Sequence, residues 1–435
     1  MNIGFIPIDN RPVCYTLPKQ IAEIGGINLF IPNREWLGDL NKYADREKIF
    51  EWIKSLPNLD AFIISLDTIA YGGLISSRRS PETFENIKEH LENFKKIVNA
   101  DKIYAFSSVM RISNNNINQE EKEYWSEYGK KIFEYSFNTD KFGSCTTDIP
   151  DKVLEDYLNT RKRNFEINKL YLEWQKEGFF DTLIFSKDDC AEFGLNVREA
   201  RELENLGGFV KTGADEIPLT LLARAINCDL KVKTLFFEPN EKNLISNYED
   251  ISVEKSVTGQ LELAGCKICE DADIILYINN FKKHQGEIVM KVDTEPFTGK
   301  WKVPEKPFMI ADVRFANGAD NELVKQFGKF DKNFYGYSGW NTSANTLGSL
   351  ICGAKARFFS KTNNESFKEL QITRLLDDWA YQANVRQLLK EPDTEKCKEL
   401  MKPFEEKVFE LVGLRRNVDY KFPWNRLFEV EIELS

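Results

Sequence analysis

Histidine is nearly absent from this chain of 435 residues: only His90 and His284 occur. They stand in "NIKEHLENFKK" and "NNFKKHQGE", which read as an exposed helix face and a loop. A zinc site built on imidazoles and a Ser-His-Asp triad are therefore close to excluded. The eight cysteines are scattered, as reduced thiols are. The one close pair, Cys266-x-x-Cys269, lacks the second pair or the histidines that a zinc site needs. No apolar run approaches the length that spans a bilayer. The opening "MNIGFIPID" has neither a basic n-region nor an apolar h-region, so no secretory signal is expected and a cytoplasmic location is the default. Basic blocks are missing too. With 59 Lys and Arg against 69 Asp and Glu, the formal net charge of −10 argues against nucleic acid or an anionic membrane as partner. No GxGxxG follows a strand and no Walker loop occurs, so no nucleotide is expected, and no cofactor is called.

What is present is a rhythm. Short apolar runs recur at Ile3–Ile8, Asn28–Ile31, Ala61–Leu66, Ile103–Ser108, Thr182–Ser186, Gly208–Lys211, Lys231–Phe237, Asp273–Ile278, Phe308–Val313 and Phe334–Tyr337. Longer amphipathic stretches separate many of them, among them Pro81–Val98, Asp151–Glu177 and Pro218–Ile226. Strands alternating with helices predict βαβ units and a mostly parallel α/β sheet. Continuous runs such as "AFIISL" suit parallel strands buried on both faces. The 32 Phe residues read mainly as core.

The expected fold is a TIM-like (β/α)8 barrel over residues 1–360, followed by a helical C-terminal region over 361–435. The alternative is two open doubly wound α/β domains split near residue 230. If Asn28–Ile31 is an excursion, Thr182–Ser186 becomes the fourth barrel strand.

Polar and glycine residues gather where these strands end: "PIDNRP", "SLDTIAYGG", "SSVMRISNN", "SKDDCAEFG", "KTGADE", "ADVRFANGAD" and "GYSGWNTSANT". In parallel α/β folds the carboxyl edge is where sites assemble. Asp188 and Asp189 are adjacent carboxylates just past a strand, and mutual repulsion resists their joint ionisation. Asp215 and Glu216 form a second pair, although acidic residues before Pro218 are also an ordinary helix start. Asp67 and Tyr71, before Gly72-Gly73, are candidates for binding sugar hydroxyls and a sugar face. Trp340, with Asn341 and Asn345, has the makings of an indole platform beside amides. Asp9 and Arg11 either bind substrate or form a structural ion pair. Arg111, Asp312 and Asn317 extend the set of substrate-binding candidates.

"IPIDNRP", "SLDTIAYGGLISSR", "DDCAEFG", "GADE", "YSGWNTSANTLG", "LDDWAYQANVR" and "FPWNRLFEVEI" together resemble the prokaryotic family catalogued as domain of unknown function 4127, over nearly the whole chain. That family label carries no activity. A strand followed by Asp-Asp is also similar to retaining N-acetylhexosaminidases that use the substrate's acetamido group as nucleophile. This second likeness implies that Asp188 orients the acetamide while Asp189 is the acid. In the alternative pair, Asp215 orients and Glu216 is the acid.

The expected function is thus a metal-independent glycoside hydrolase acting on a β-N-acetylhexosaminide, with a small carbohydrate as substrate. Two alternatives stand beside it. One is a divalent-metal hydrolase using Asp9, Asp67, Asp188, Asp189 and Asp312; the other is a non-catalytic carbohydrate-binding protein. Sugar identity, linkage and oligomeric state are not legible in the sequence.

Overall fold

The apolar runs become strands where the sequence places them, but they do not close into a barrel. In the computed structural model, which describes residues 1–188, 191–361 and 365–435, the chain divides into two compact units. The first holds 1–15, 28–218 and 248–250; the second holds 16–27, 219–247 and 251–435. The closed eight-stranded barrel is therefore corrected to its alternative, two open parallel sheets.

In the first unit, β1 (Asn2–Ile6), β2 (Asn28–Phe30), β3 (Ala61–Ser65), β4 (Ile103–Val109), β5 (Thr182–Lys187) and β6 (Phe209–Thr212) form a six-stranded sheet. Its order is β2-β1-β3-β4-β5-β6, and every pairing is parallel. The stretch first set aside as an excursion is the edge strand β2, pairing Ile3 with Leu29. β3 and β4 are buried along their whole length, which is why they read as unbroken apolar runs. Helix Phe84–Ile97 starts on Thr83, whose side chain accepts a hydrogen bond from the Asn86 N–H. Its Ile87, Leu91 and Phe94 recur at helical spacing and join Phe62, Ile64 and Trp174 in one core. Each such buried side chain contributes roughly 1.5–3 kcal/mol.

In the second unit, β7 (Lys231–Phe236), β8 (Lys267–Ile268), β9 (Ile274–Asn279), β11 (Phe308–Asp312) and β13 (Phe334–Ser338) form a parallel sheet in the order β13-β11-β9-β7-β8. Between them, β10 (Gly286–Glu287) and β12 (Phe315–Ala316) pair separately. Much of the phenylalanine reading as core is found here: Phe330 stacks on Phe334 with centroids 3.7 Å apart, and Trp301 meets Tyr277, Phe308 and Phe327. The C-terminal helices Glu365–Arg374 and Thr394–Val412 belong to this unit, joined by a π-helical stretch, Leu375–Val385. The chain then forms an antiparallel ribbon of β14 (Val418–Lys421) and β15 (Glu431–Leu434). Among the described residues no helix is long and apolar enough to cross a membrane.

Candidate functional site

In doubly wound sheets of this order, ligands bind outside the carboxyl ends of the strands, where the strand order reverses. In the first unit the reversal falls between β1 and β3. The segment after β1 begins with Asp9, whose Oδ1 accepts the Arg11 backbone N–H at 3.0 Å and whose Oδ2 accepts Arg11 Nε at 2.9 Å. The rest of the Arg11 fork reaches the loop after β6. There Nη1 and Nη2 donate to the two oxygens of Asp215 at 3.1 and 2.5 Å. β1 and β6 lie four positions apart in the sheet, roughly 19 Å at ordinary strand spacing, so this pair ties the edge together across β3, β4 and β5. Both carboxylates and the guanidinium are buried, as a structural ion pair would be.

Asp67 follows β3 on the short helix Leu66–Tyr71, which stops at Gly72 in left-handed conformation (φ 85°). A Cβ at Gly72 would lie 2.9 Å from the Ala44 nitrogen, so the turn admits no side chain there. Asp67 Oδ2 accepts the Ser108 N–H at the end of β4, at 2.9 Å. Burial pushes its pKa up to about 7 against that hydrogen bond. Tyr71 does not offer its ring to a sugar: it is 2% exposed, with the Arg163 guanidinium 5.4 Å from its centroid.

Beyond β4, Arg111 donates from Nη2 to Glu120 at 2.7 Å and approaches Glu121 and Asp188 at 3.4 Å each. Asp188 thus stands just past β5 beside a fixed positive charge. Asp189 lies outside the described residues. Arg78, from helix Leu74–Arg79, enters the same cluster, 3.3 Å from Glu121 and 3.6 Å from Glu120. The sequence reading missed Arg78, Glu120 and Glu121. "ISSRRS" and "NQEEKEY" carry charges in a pattern indistinguishable from a solvated helix face.

The second pair behaves differently from its sequence role. Asp215 is held by Arg11, with burial the largest influence raising its pKa. Glu216 is fully buried and turned back on its own loop, where Oε2 accepts the Ala214 N–H at 3.1 Å. Burial raises its pKa to about 8. Gly213 makes room for it: at φ 114° a Cβ there would sit 1.7 Å from Glu216 Oε1. Nearby, Asp250 accepts from Lys187 and from Thr212 Oγ1, which hold its pKa below the usual range although burial pulls the other way.

The remaining candidates belong to the second unit, and most are occupied there. Asp312 is fully buried: Oδ1 accepts from Asn279, Oδ2 from Tyr337 Oη and the Asp320 N–H, all within 2.9 Å. Asn317 donates to Glu287 at 2.6 Å. Trp340 is 3% exposed with its ring against Phe428, so the expected open platform is corrected to a core residue. Asn341 holds a left-handed backbone (φ 60°), and its carbonyl accepts the Asn317 N–H. Asn345 donates from its amide to Thr342, the N-cap of helix Ser343–Ser360. Of the five aspartates of the metal alternative, Asp312 belongs to the second unit, Asp9 is bonded to Arg11 and Asp189 lies outside the described residues. Among the described residues no group of three His, Cys, Asp or Glu side chains is placed to hold a metal.

One edge of the first unit therefore gathers Arg11, Arg78 and Arg111 with Asp9, Glu120, Glu121, Asp188 and Asp215, five carboxylates against three guanidinium groups. Such a surface supplies fixed donors and acceptors with an excess of negative charge. It suits a neutral, hydroxyl-bearing molecule better than an anion.

The profile of the family described as "Protein of unknown function (DUF4127)" matches residues 3–433, and the chain belongs to that family. No curated protein matches it. Among solved structures, PH0766 from Pyrococcus horikoshii OT3 is similar at 11% identity over 83% of this chain and 98% of that one, with a TM-score of 0.16. A likeness that weak bears on neither fold nor chemistry.

Proposed function

We propose that this DUF4127 chain is a glycoside hydrolase whose site is the carboxyl edge of the first unit, outside β3, β4 and β5. The observation that carries the reading is Asp188 beside Arg111 at 3.4 Å. A pair of adjacent carboxyl groups, one facing a guanidinium, suits glycoside hydrolysis by an acid and an anionic partner. Asp188 is the anion that orients the substrate and faces developing positive charge. Its chain neighbour Asp189, repelled by that charge, keeps its proton and delivers it to the leaving oxygen. β-N-Acetylhexosaminides are the first substrates to test, since their acetamido carbonyl can close on the anomeric carbon in place of an enzymic nucleophile. The open sheet removes the barrel from this argument, which rests on the charges at the edge.

The test is hydrolysis of a panel of aryl glycosides by the pure protein, with and without EDTA. Cleavage of an aryl β-N-acetylhexosaminide that survives EDTA, and that falls about 100-fold or more in Asp189→Asn, supports the reading. Cleavage that EDTA abolishes, or no cleavage of any member of the panel, overturns it.

A further inference from the structure

Arg78 is 2% exposed, yet none of its three guanidinium nitrogens has a hydrogen-bond partner among the described residues. Its nearest carboxylate oxygens, on Glu121 and Glu120, stand at 3.3 and 3.6 Å, and the same two side chains are engaged by Arg111. Five N–H donors left dry in a protein interior are costly, because desolvation is not repaid by directed bonds. A sequence keeps such a group when something else completes it.

What completes it follows from the neighbours. Arg78 and Arg111 already face Glu120, Glu121 and Asp188, so the cluster carries one more negative than positive charge. A phosphate or carboxylate added there would meet net repulsion. A neutral oxygen would not, and a planar fork matches two adjacent oxygens of one ligand. We propose that Arg78 is a ligand-reading residue that donates to paired neutral oxygens, vicinal hydroxyls or a hydroxyl beside an amide carbonyl, of an uncharged sugar bound at this edge. This rests on the reading of the same edge as a carbohydrate site, but it does not need that site to be hydrolytic.

The experiment compares the full-length wild type with Arg78→Lys and Arg78→Met. Calorimetric titration uses three probes: N-acetylglucosamine, N-acetylgalactosamine and glucose 6-phosphate. The expected result is wild-type binding of one of the two neutral sugars, weaker or absent binding of the sugar phosphate, and loss of affinity by about 10- to 100-fold in Arg78→Lys, which keeps the charge and loses the fork. The thermal midpoint of unliganded Arg78→Lys should match the wild type. Tighter binding of the phosphate overturns the neutral-ligand assignment. Failure of both neutral sugars to bind the wild type overturns it as well, as does unchanged sugar affinity in Arg78→Lys. If Arg78→Met does not fold, or if its unliganded midpoint falls by more than a few degrees, Arg78 is a structural ion-pair partner and the proposal is wrong. Sugar binding without turnover of the aryl panel would sink the hydrolase reading alone. Turnover with unchanged kcat/KM in Arg78→Met would sink the Arg78 reading alone.

Discussion

The two units repeat one topology and finish it in opposite ways. Written in chain order, the strands of each sheet run second, first, third, fourth, fifth: β2-β1-β3-β4-β5 with β6 appended, and β8-β7-β9-β11-β13. Each fourth strand is followed at the same distance by an arginine, Arg111 two residues past β4 and Arg314 two residues past β11. In the second unit that arginine is saturated. Arg314 donates to Asn279 at 2.9 Å, to the Glu295 carbonyl at 3.0 Å and to Glu238 at 3.0 Å, with Asp320 3.5 Å from its Nε. In the first unit the corresponding edge leaves Arg78 without directed bonds. The same scaffold can thus spend its strand-end polar groups on its own cohesion or hold them for a ligand. Arg314 and Arg78 differ in the directed bonds they make, not in charge.

The largest effects should come from dismantling the edge of the second unit. Trp340→Ala is expected to cost about 3–5 kcal/mol in urea unfolding, the range for emptying a buried aromatic site, without changing sugar affinity in the folded protein. A change of affinity at constant stability would restore Trp340 as a platform. Arg314→Met should cost a comparable 3–5 kcal/mol, because buried Asp320 would lose its counter-charge and Asn279 and the Glu295 carbonyl a donor. If it costs no more than Arg78→Met, the contrast between the edges is broken. Tyr337→Phe deletes one hydrogen bond to Asp312 and should cost about 1–2 kcal/mol, read in the same assay.

The remaining effect is on pH. Asp67, Asp312 and Asp378 are raised by burial to about 7 and Glu216 to about 8. The unfolded chain releases these protons near pH 4, whereas the native chain holds them, so the unfolded state binds fewer protons in between. Stability should therefore fall as pH rises from about 4 to about 8, by up to roughly 1.4 kcal/mol per pH unit for each carboxyl. Glu216→Gln should remove one carboxyl's share of this fall across the whole window from about pH 4 to about 8. A midpoint profile that this substitution leaves unchanged would show that Glu216 does not hold its proton.

How much of this was legible follows from what each signal encodes. Continuous apolar runs mark strands buried on both faces, and the ten runs all became strands because nothing else satisfies such a pattern between helices. Strand order has no such signature. Dismissing Asn28–Ile31 made the count suit a barrel, yet its pairing with β1 is what makes the sheet an open one. A further adjacent pair, Asp377-Asp378, lay in "LDDWAYQANVR", read for its helical pattern and its family likeness and not as a site. Asp378 sits on the π-helical turn and accepts the Gly339 N–H at 2.7 Å, pinning that turn to the end of β13. The strand-end carboxylates were legible as a group. Which of them are free to act was not, because burial and partner choice are decided by residues far away in the chain. Tyr71 and Trp340 show the same limit, since an aromatic in a glycine-rich turn looks alike whether its ring faces solvent or core.

The bond between Arg11 and Asp215 spans 204 residues of chain. Ribosomal synthesis delivers Arg11 204 residues before its partner. Loop closure on that scale is among the last events a folding domain can complete. The edge proposed for chemistry is therefore finished only when the entire first sheet has been laid down, and a nascent chain halted before residue 215 would carry the strands without the latch that draws their ends together.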